Sequence, residues 1–258
     1  MILRFLGTGT AGCKIKQKNT KEYRRRTTLF IDEKILINPT MDIFDFEESF
    51  NMSGMFRRLS AILVTDSVSL DIDAIKQLTQ RIAIPVLASA FVLNQLNECE
   101  GVRGAYLAPF NLSQIGEYKI LPLPLAHKTE NTRECPLGFY ISRDKNIFYA
   151  TPGGMLRYDA WQLLSRLGAD ESMKLDTVIL DGSRGDAPFG AEDFDSLSLE
   201  GASLTRRVLE SGGLTSERCR FLVVNVPTDK KKKNHEDWLP VAENYGLTLC
   251  YDGYFLGL

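Results

Sequence analysis

The stretch Leu59 to Ile75, LSAILVTDSVSLDIDAI, decides the reading of this chain. Ala61 to Val64 is a short apolar run with β-branched residues, the pattern of a buried strand. Polar residues follow at once: Thr65, Asp66, Ser67, Ser69, Asp71 and Asp73. Ile72, Ile75, Leu78 and Ile82 then share one face at helical spacing. Strand, polar loop, amphipathic helix is the order in which α/β proteins build sites, at the carboxyl end of a strand.

Outward from this stretch, strand and helix patterns alternate along the whole chain. Ile2 to Leu6 reads as a strand running into Gly-Thr-Gly-Thr-Ala-Gly. No Gly-Lys-Ser/Thr follows these glycines and no helix pattern begins there, so a phosphate-cradling P-loop is not indicated. Thr27 to Asp32 and Lys34 to Asn38 predict a hairpin turning at Asp32-Glu33, and Met41 to Arg58 predicts a helix. Pro85 to Ala88 reads as a strand and Phe91 to Asn97 as a short helix. Tyr118 to Leu123, Gly138 to Ser142 and Asn146 to Ala150 read as strands, the last two forming a hairpin at Asp144-Lys145. Helices are predicted at Tyr158 to Leu167, Leu197 to Ser211 and Glu236 to Tyr245. Strands are predicted at Leu175 to Leu180, Arg220 to Val224 and Thr248 to Leu256. No repeat or linker interrupts the pattern, which favours one layered domain spanning residues 1–258.

Composition bounds the chemistry. The chain has 258 residues, 44% hydrophobic and 25% charged, with net charge −2, so no global field attracts nucleic acid or an acidic membrane. There is no signal-peptide pattern and no apolar run near the roughly 20 residues of a membrane span. Cys13, Cys99, Cys135, Cys219 and Cys250 are scattered and odd in number, as expected of reduced thiols in a cytoplasmic protein. His127 and His235 are the only histidines, and two cannot build a histidine-rich dinuclear zinc site. His235, in Lys-Lys-Asn-His-Glu-Asp, is expected to face solvent.

The order of these segments resembles the metallo-β-lactamase-fold hydrolases, in the branch of the phosphoribosyl cyclic phosphodiesterases. FLGTGTA (Phe5 to Ala11) is similar to that branch's opening, and LVTD (Leu63 to Asp66) to the strand entering the metal-binding loop. LPLPLAH (Leu121 to His127) resembles the strand that delivers the next histidine, and IFYATPGG (Ile147 to Gly154) the segment carrying the bridging aspartate. VILDGS (Val178 to Ser183), LVVN (Leu222 to Asn225) and CYDGYFL (Cys250 to Leu256) resemble later strands. The resemblance implies an α+β fold, the four-layer αββα sandwich.

It also implies where the metal ligands would stand, and the residues there are altered. The loop pattern T-H-x-H-x-D-H falls on Thr65 to Asp71. Its ligand positions hold Asp66, Val68, Leu70 and Asp71. Pro152 stands at the bridging aspartate and Asn225 at the last histidine. Of seven ligand positions only His127 keeps its residue type. Without the bridge, two dications have nothing to offset their repulsion. The reading is a degraded dinuclear site, with no cofactor expected. The alternative is a single divalent metal (Mn, Mg or Zn) on Asp66, Asp71, His127 and Asn225, with catalytic candidates Asp66, Asp71 and His127, serving a phosphodiesterase-like hydrolase. Against it, these acids also read as caps of the following helix, a role Asp66 or Ser67 could fill without any metal. Val68 and Leu70 are expected to fill the lost ligands' volume.

Arg24, Arg25, Arg26 and Asp181 are the candidate substrate or anion contacts. Expected partners are a small phosphate-bearing ligand or a protein in the old cleft. RNA on Arg24 to Arg26 with Lys230 to Lys233 is a further alternative.

Overall fold

The computed structural model describes residues 1–10, 21–97, 99–129, 131, 133–228 and 233–258. Cys13 and Lys230 to Lys232 lie outside the described residues. In chain order the strands are β1 (Ile2–Gly7), β2 (Thr28–Ile31), β3 (Ile35–Ile37), β4 (Ala61–Leu63), β5 (Pro85–Ala88) and β6 (Arg103–Tyr106). There follow β7 (Ser113–Ile115), β8 (Tyr118–Pro124), β9 (Leu137–Ser142), β10 (Asn146–Ala150), β11 (Leu175–Asp181), β12 (Thr215–Val224), β13 (Thr248–Leu249) and β14 (Phe255–Gly257). The helices are α1 (Asp42–Ser49), α2 (Ile72–Arg81), α3 (Ala90–Leu96), α4 (Tyr158–Gly168), α5 (Leu199–Ser211) and α6 (His235–Asn244).

The strands form two sheets of seven, ordered β14-β1-β2-β3-β4-β5-β6 and β13-β12-β11-β10-β9-β8-β7. Period-2 alternation assigns their faces. Leu3, Phe5, Leu29, Ile31, Ile35 and Ile37 of the first sheet pack in one cluster with Phe139, Ile141, Ile147, Tyr149 and Ile179 of the second. The alternate residues Leu6, Phe30, Leu36 and Ile62 pack outward with Ile43, Phe46, Ile75, Leu78 and Val92 of α1, α2 and α3. On the far side Tyr140, Phe148, Val178 and Leu180 meet Leu164, Leu209 and Trp238 of α4, α5 and α6. Three apolar seams between helix, sheet, sheet and helix are the αββα sandwich. Strands covered on both faces explain why runs such as ILVT lack polar alternation.

The hairpin at Asp32-Glu33 forms as read. Both residues have positive φ, 50° and 57°, and Lys34 N–H donates to Ile31 O at 2.8 Å, the mirror-image turn that suits twisted strands. Other expectations need correction. The predicted helix from Met41 stops at Ser49, and Met55–Arg58 is a separate 3-10 turn. Gly54, at φ 76°, makes the break. The predicted closing strand is two strands: β13 joins the second sheet, β14 pairs antiparallel with β1, and Asp252-Gly253 carry the chain across. β6 and β7 carry half-exposed polar sequences and gave no strand signal. His235 is buried rather than solvent-facing: its Nδ1 accepts from Arg24 at 2.7 Å, and its ring meets Tyr251 edge-on. Among the described residues Cys99, Cys135, Cys219 and Cys250 are free thiols, and no helix is long and apolar enough to cross a membrane.

Gly7 shows what the opening glycines do. A Cβ there would lie 2.0 Å from the carbonyl oxygen of Arg26, at the irregularity where β1 and β2 pair. The obstacle is backbone, which cannot rotate aside. Gly7→Ala is expected to destabilise the fold by about 2–3 kcal/mol through overpacking, read by urea denaturation. An unchanged midpoint would show that β2 shifts freely.

Candidate functional site

The loops at one end of the two sheets enclose a cleft of about 250 Å³. Arg26, Thr27, Thr40, Asp71, His127, Tyr149, Thr151, Pro152, Asp181, Ser183, Ser196 and Asn225 are among its lining residues. Five of the eight candidate site residues thus meet here, Arg26, Asp71, His127, Asp181 and Asn225, coming from widely separated parts of the chain.

Each is held by identifiable bonds. Asp71 caps α2 by accepting from Ala74 N–H at 3.1 Å, and also accepts from Met41 N–H at 3.1 Å. Its other partner is the Arg26 guanidinium at 2.9 Å. Arg26 is bound in turn by Asp42 at 3.1 Å, so one cation already faces two carboxylates. His127 Nδ1 lies 3.2 Å from the backbone oxygen of Asp195. A carbonyl only accepts, so Nδ1 carries the proton and a neutral ring keeps Nε2 as an acceptor. The Asp195 carboxylate also accepts from Lys128 N–H.

Asp181, at the end of β11, is fully buried. Its carboxylate accepts from Ser183 Oγ at 2.5 Å, Ser183 N–H at 3.2 Å, Leu197 N–H at 3.2 Å and Asn225 Nδ2 at 2.8 Å. Burial pushes its pKa up, and the bonds from Ser183 and Asn225 oppose part of that rise. Asn225, just past β12, sits at φ 63°, a left-handed conformation that asparagine tolerates well. Its amide donates to Asp181 and to Thr151 Oγ1 at 3.0 Å, and its oxygen accepts from the Thr27 hydroxyl. Asn225 therefore ties β2, β10 and β11 together at the cleft floor.

Asp66 is placed elsewhere. It is wholly buried and absent from the cleft lining. Its carboxylate accepts from Thr65 Oγ1 at 2.7 Å, Ser69 N–H at 2.8 Å and Ser69 Oγ at 3.3 Å, which folds the 66–69 turn onto itself. That turn carries Val68 to the rim, where it is 55% exposed, against the expectation that it fills lost volume. Leu70 is half-buried, lines the cleft and packs against the outer seam of the first sheet. Arg24 and Arg25 point away from the cleft. Arg24 donates to Thr8 Oγ1 at 3.0 Å and to His235, and Arg25 binds Asp45 and Asp252 at 2.7 and 3.4 Å. Lys233, the described member of the lysine run, pairs with Asp186 at 2.6 Å and lies over the Trp238 ring.

The polar side chains at the cleft are already bonded within the protein. Among the described residues no three His, Cys, Asp or Glu side chains gather to hold an ion. Asp66 is turned out of the cleft, Asp71 is neutralised by Arg26, and the Asn225 side chain is engaged by Thr27, Thr151 and Asp181. Pro152, following a cis peptide bond with Thr151, offers no ligand.

Sequence reasoning missed the hydroxyls. Tyr149 looks like a core residue in an apolar strand, and it is one, with 0% exposure. Among the described residues, however, its phenol oxygen has no hydrogen-bond partner, and neither has the buried Thr40 Oγ1. Asn38 comes near Tyr149 but is engaged with Thr65, giving Nδ2 to Thr65 Oγ1 at 2.9 Å and accepting from Thr65 N–H at 3.0 Å. Burial drives the Tyr149 pKa far upward, so the phenol stays protonated. Glu134 was missed as well: it takes the amide and hydroxyl of Ser67, both at 2.5 Å, and pins the central loop.

Two seven-stranded sheets between helices, with a cleft at the strand ends, define a class that solved structures share. No family model matches this sequence, and no curated protein sequence does. Zn²⁺-bound PqqB from Methylobacterium extorquens is 14% identical with TM-score 0.73 over 100% of both chains. The metallo-β-lactamase fold protein YhfI from Bacillus subtilis is 12% identical with TM-score 0.70 over 99% of both. A diphosphatase of the PhnP family is 17% identical with TM-score 0.68 over 100% of this chain and 97% of that one. This chain has the metallo-β-lactamase fold.

Proposed function

We propose that this chain, acting as one unit of residues 1–258, binds a small molecule in the cleft and is not a dinuclear metallohydrolase. One observation carries the reading: the polar side chains at the altered ligand positions bond to the protein itself. Asp71 caps a helix and neutralises Arg26, Asp66 closes a turn, and Asn225 bridges three strand ends. The cleft still encloses about 250 Å³, while on this reading the side chains at the ligand positions serve the fold. A small phosphate-bearing ligand is a natural first probe, because a diphosphatase stands among the structural neighbours. The RNA reading finds little support, since Arg24 and Arg25 are buried and Arg26 is paired.

The test is metal content together with turnover. Protein purified without chelator is expected to carry well under one zinc per chain. It is expected to hydrolyse bis-aryl phosphodiesters no faster than buffer with Mn²⁺, Mg²⁺ or Zn²⁺ added. Without a metal, water keeps a pKa near 15.7 instead of about 7. His127 as a lone general base supplies only about 10²–10⁴-fold, too little for so stable a diester. Metal-dependent turnover that disappears in His127→Ala or Asp71→Ala would establish the single-metal hydrolase instead.

A further inference from the structure

We infer that the cleft takes an uncharged polyhydroxylated ligand of about monosaccharide size, recognised by the Tyr149 and Thr40 hydroxyls. This rests on the reading that the cleft binds a small molecule, and adds the ligand's chemistry. Of the three buried hydroxyls without partners among the described residues, those of Thr40, Tyr149 and Thr177, the first two are the starting point. A native interior leaves few such groups, because an unpaired buried donor is costly. Both residues line the same cleft. A ligand hydroxyl, which donates and accepts, satisfies either one.

Among the described residues, charge argues against the other ligand classes. Arg26, the only arginine among the described lining residues, is already bound by Asp42 and Asp71. Arg26 faces two carboxylates, Asp42 and Asp71, and the Asp195 carboxylate lies behind His127 at 3.8 Å. Among the described lining residues a phosphate group would meet carboxylates and no unpaired arginine. A cation would meet carboxylates whose oxygens already accept three or four bonds each. What remains is a wall of neutral hydroxyls, Thr27, Ser69, Ser183 and Ser196 among them, with Leu70 and Pro152 as apolar surface for a ring face. At about 250 Å³ the cleft lies below the roughly 300–1,000 Å³ of drug-sized sites, which limits the ligand to one small ring.

The experiment measures binding and stability together. The full chain is titrated with neutral pentoses, hexoses and inositol, then with their monophosphates and inorganic phosphate, by saturation-transfer NMR and thermal shift. The same is done on Tyr149→Phe and Thr40→Val. A neutral polyol is expected to bind, and roughly tenfold more weakly to Tyr149→Phe. Tyr149→Phe in the absence of ligand is expected to melt at or above the wild-type temperature, since it removes an unpaired polar atom and keeps the ring. A melting temperature lowered in Tyr149→Phe would make the hydroxyl structural and overturn the inference. So would polyol binding unchanged in both variants. A monophosphate bound tenfold more tightly than its neutral parent would overturn the inference alone and leave the cleft a binding site. No binding by any probe at millimolar concentration would overturn both.

Discussion

Arg25→Ala is expected to destabilise the folded chain by roughly 3–5 kcal/mol at neutral pH, the usual cost of removing one member of a buried ion pair. Arg25 and Asp252 are each 3% exposed at the side chain, 3.4 Å apart, and far separated in sequence. Arg25 also binds Asp45 at 2.7 Å and Ser49 at 3.2 Å, and stacks against Tyr23 and Phe46. Alanine removes the charge and that packing together. The cost is expected to depend on pH. Burial pushes Asp252 up to about 6 even with both neighbouring arginines present, while Arg25 N–H, the Thr8 hydroxyl and the arginine charges pull it down. Losing the Arg25 charge raises it further. Below that value the variant's Asp252 takes a proton and ceases to be an unpaired buried charge. The gap between wild type and Arg25→Ala in denaturant midpoint is therefore expected to narrow as pH falls from 7 toward about 5. A gap that widens on acidification would show that Asp252 is not the residue left uncompensated.

The same residue pair shows why the site was harder to read than the fold. The fold lay in apolar runs whose order is preserved: LRFLG, TLFI, AIL and FYIS each became a strand, and their alternate residues sorted to the expected faces. β6 and β7 escaped because half-exposed edge strands carry polar residues and need no apolar pattern. The Thr248 to Leu256 segment misled because one apolar run crosses from the second sheet to the first, and sequence does not mark the crossing. The site was legible only as a set of strand ends. Asp71, His127, Asp181 and Asn225, each following or ending a recognisable strand or opening a helix, meet at the cleft, whereas Asp66, expected with them, does not line it. Their chemistry was not legible, because a carboxylate's role is set by donors far away: Met41 N–H for Asp71, Leu197 N–H for Asp181. Arg24, Arg25 and Arg26 look alike in sequence, yet the irregular backbone before β2 sends one to His235, one to Asp252 and one to the cleft. Tyr149 gave no signal, because whether a core tyrosine's hydroxyl finds a partner depends on every layer around it.

Asp181→Ala is expected to cost about as much, roughly 3–5 kcal/mol, and to abolish ligand binding where Asp181→Asn does not. Alanine strands four donors, those of Ser183 N, Ser183 Oγ, Leu197 N and Asn225 Nδ2. Each buried donor left unpaired costs about 1–3 kcal/mol, reduced where the Ser183 hydroxyl can rotate to another acceptor. The loss spreads along defined bonds. Leu197 follows the segment that presents Ser196 to the cleft and Asp195 to His127, and Asn225 holds Thr27 and Thr151. Asparagine keeps the volume and one acceptor oxygen. Its new N–H faces Asn225, whose amide can reverse, donating to the Thr27 hydroxyl and accepting from Thr151 and residue 181. The substitution is thus expected to cost about 1 kcal/mol. It also removes a titration. The carboxyl of Asp181 is raised in the folded chain above its ordinary 3.8, so the folded state holds that proton more tightly than the unfolded state. Its contribution to stability is full below that ordinary value and is lost as pH rises through the folded-state value. Wild type measured against Asp181→Asn is therefore expected to lose relative stability as pH climbs from below 3.8 toward neutrality. Denaturant titrations of the two proteins across that range read the difference directly. A relative stability of wild type that grows with pH would mean the four donors outweigh burial and hold Asp181 as a carboxylate well into acid.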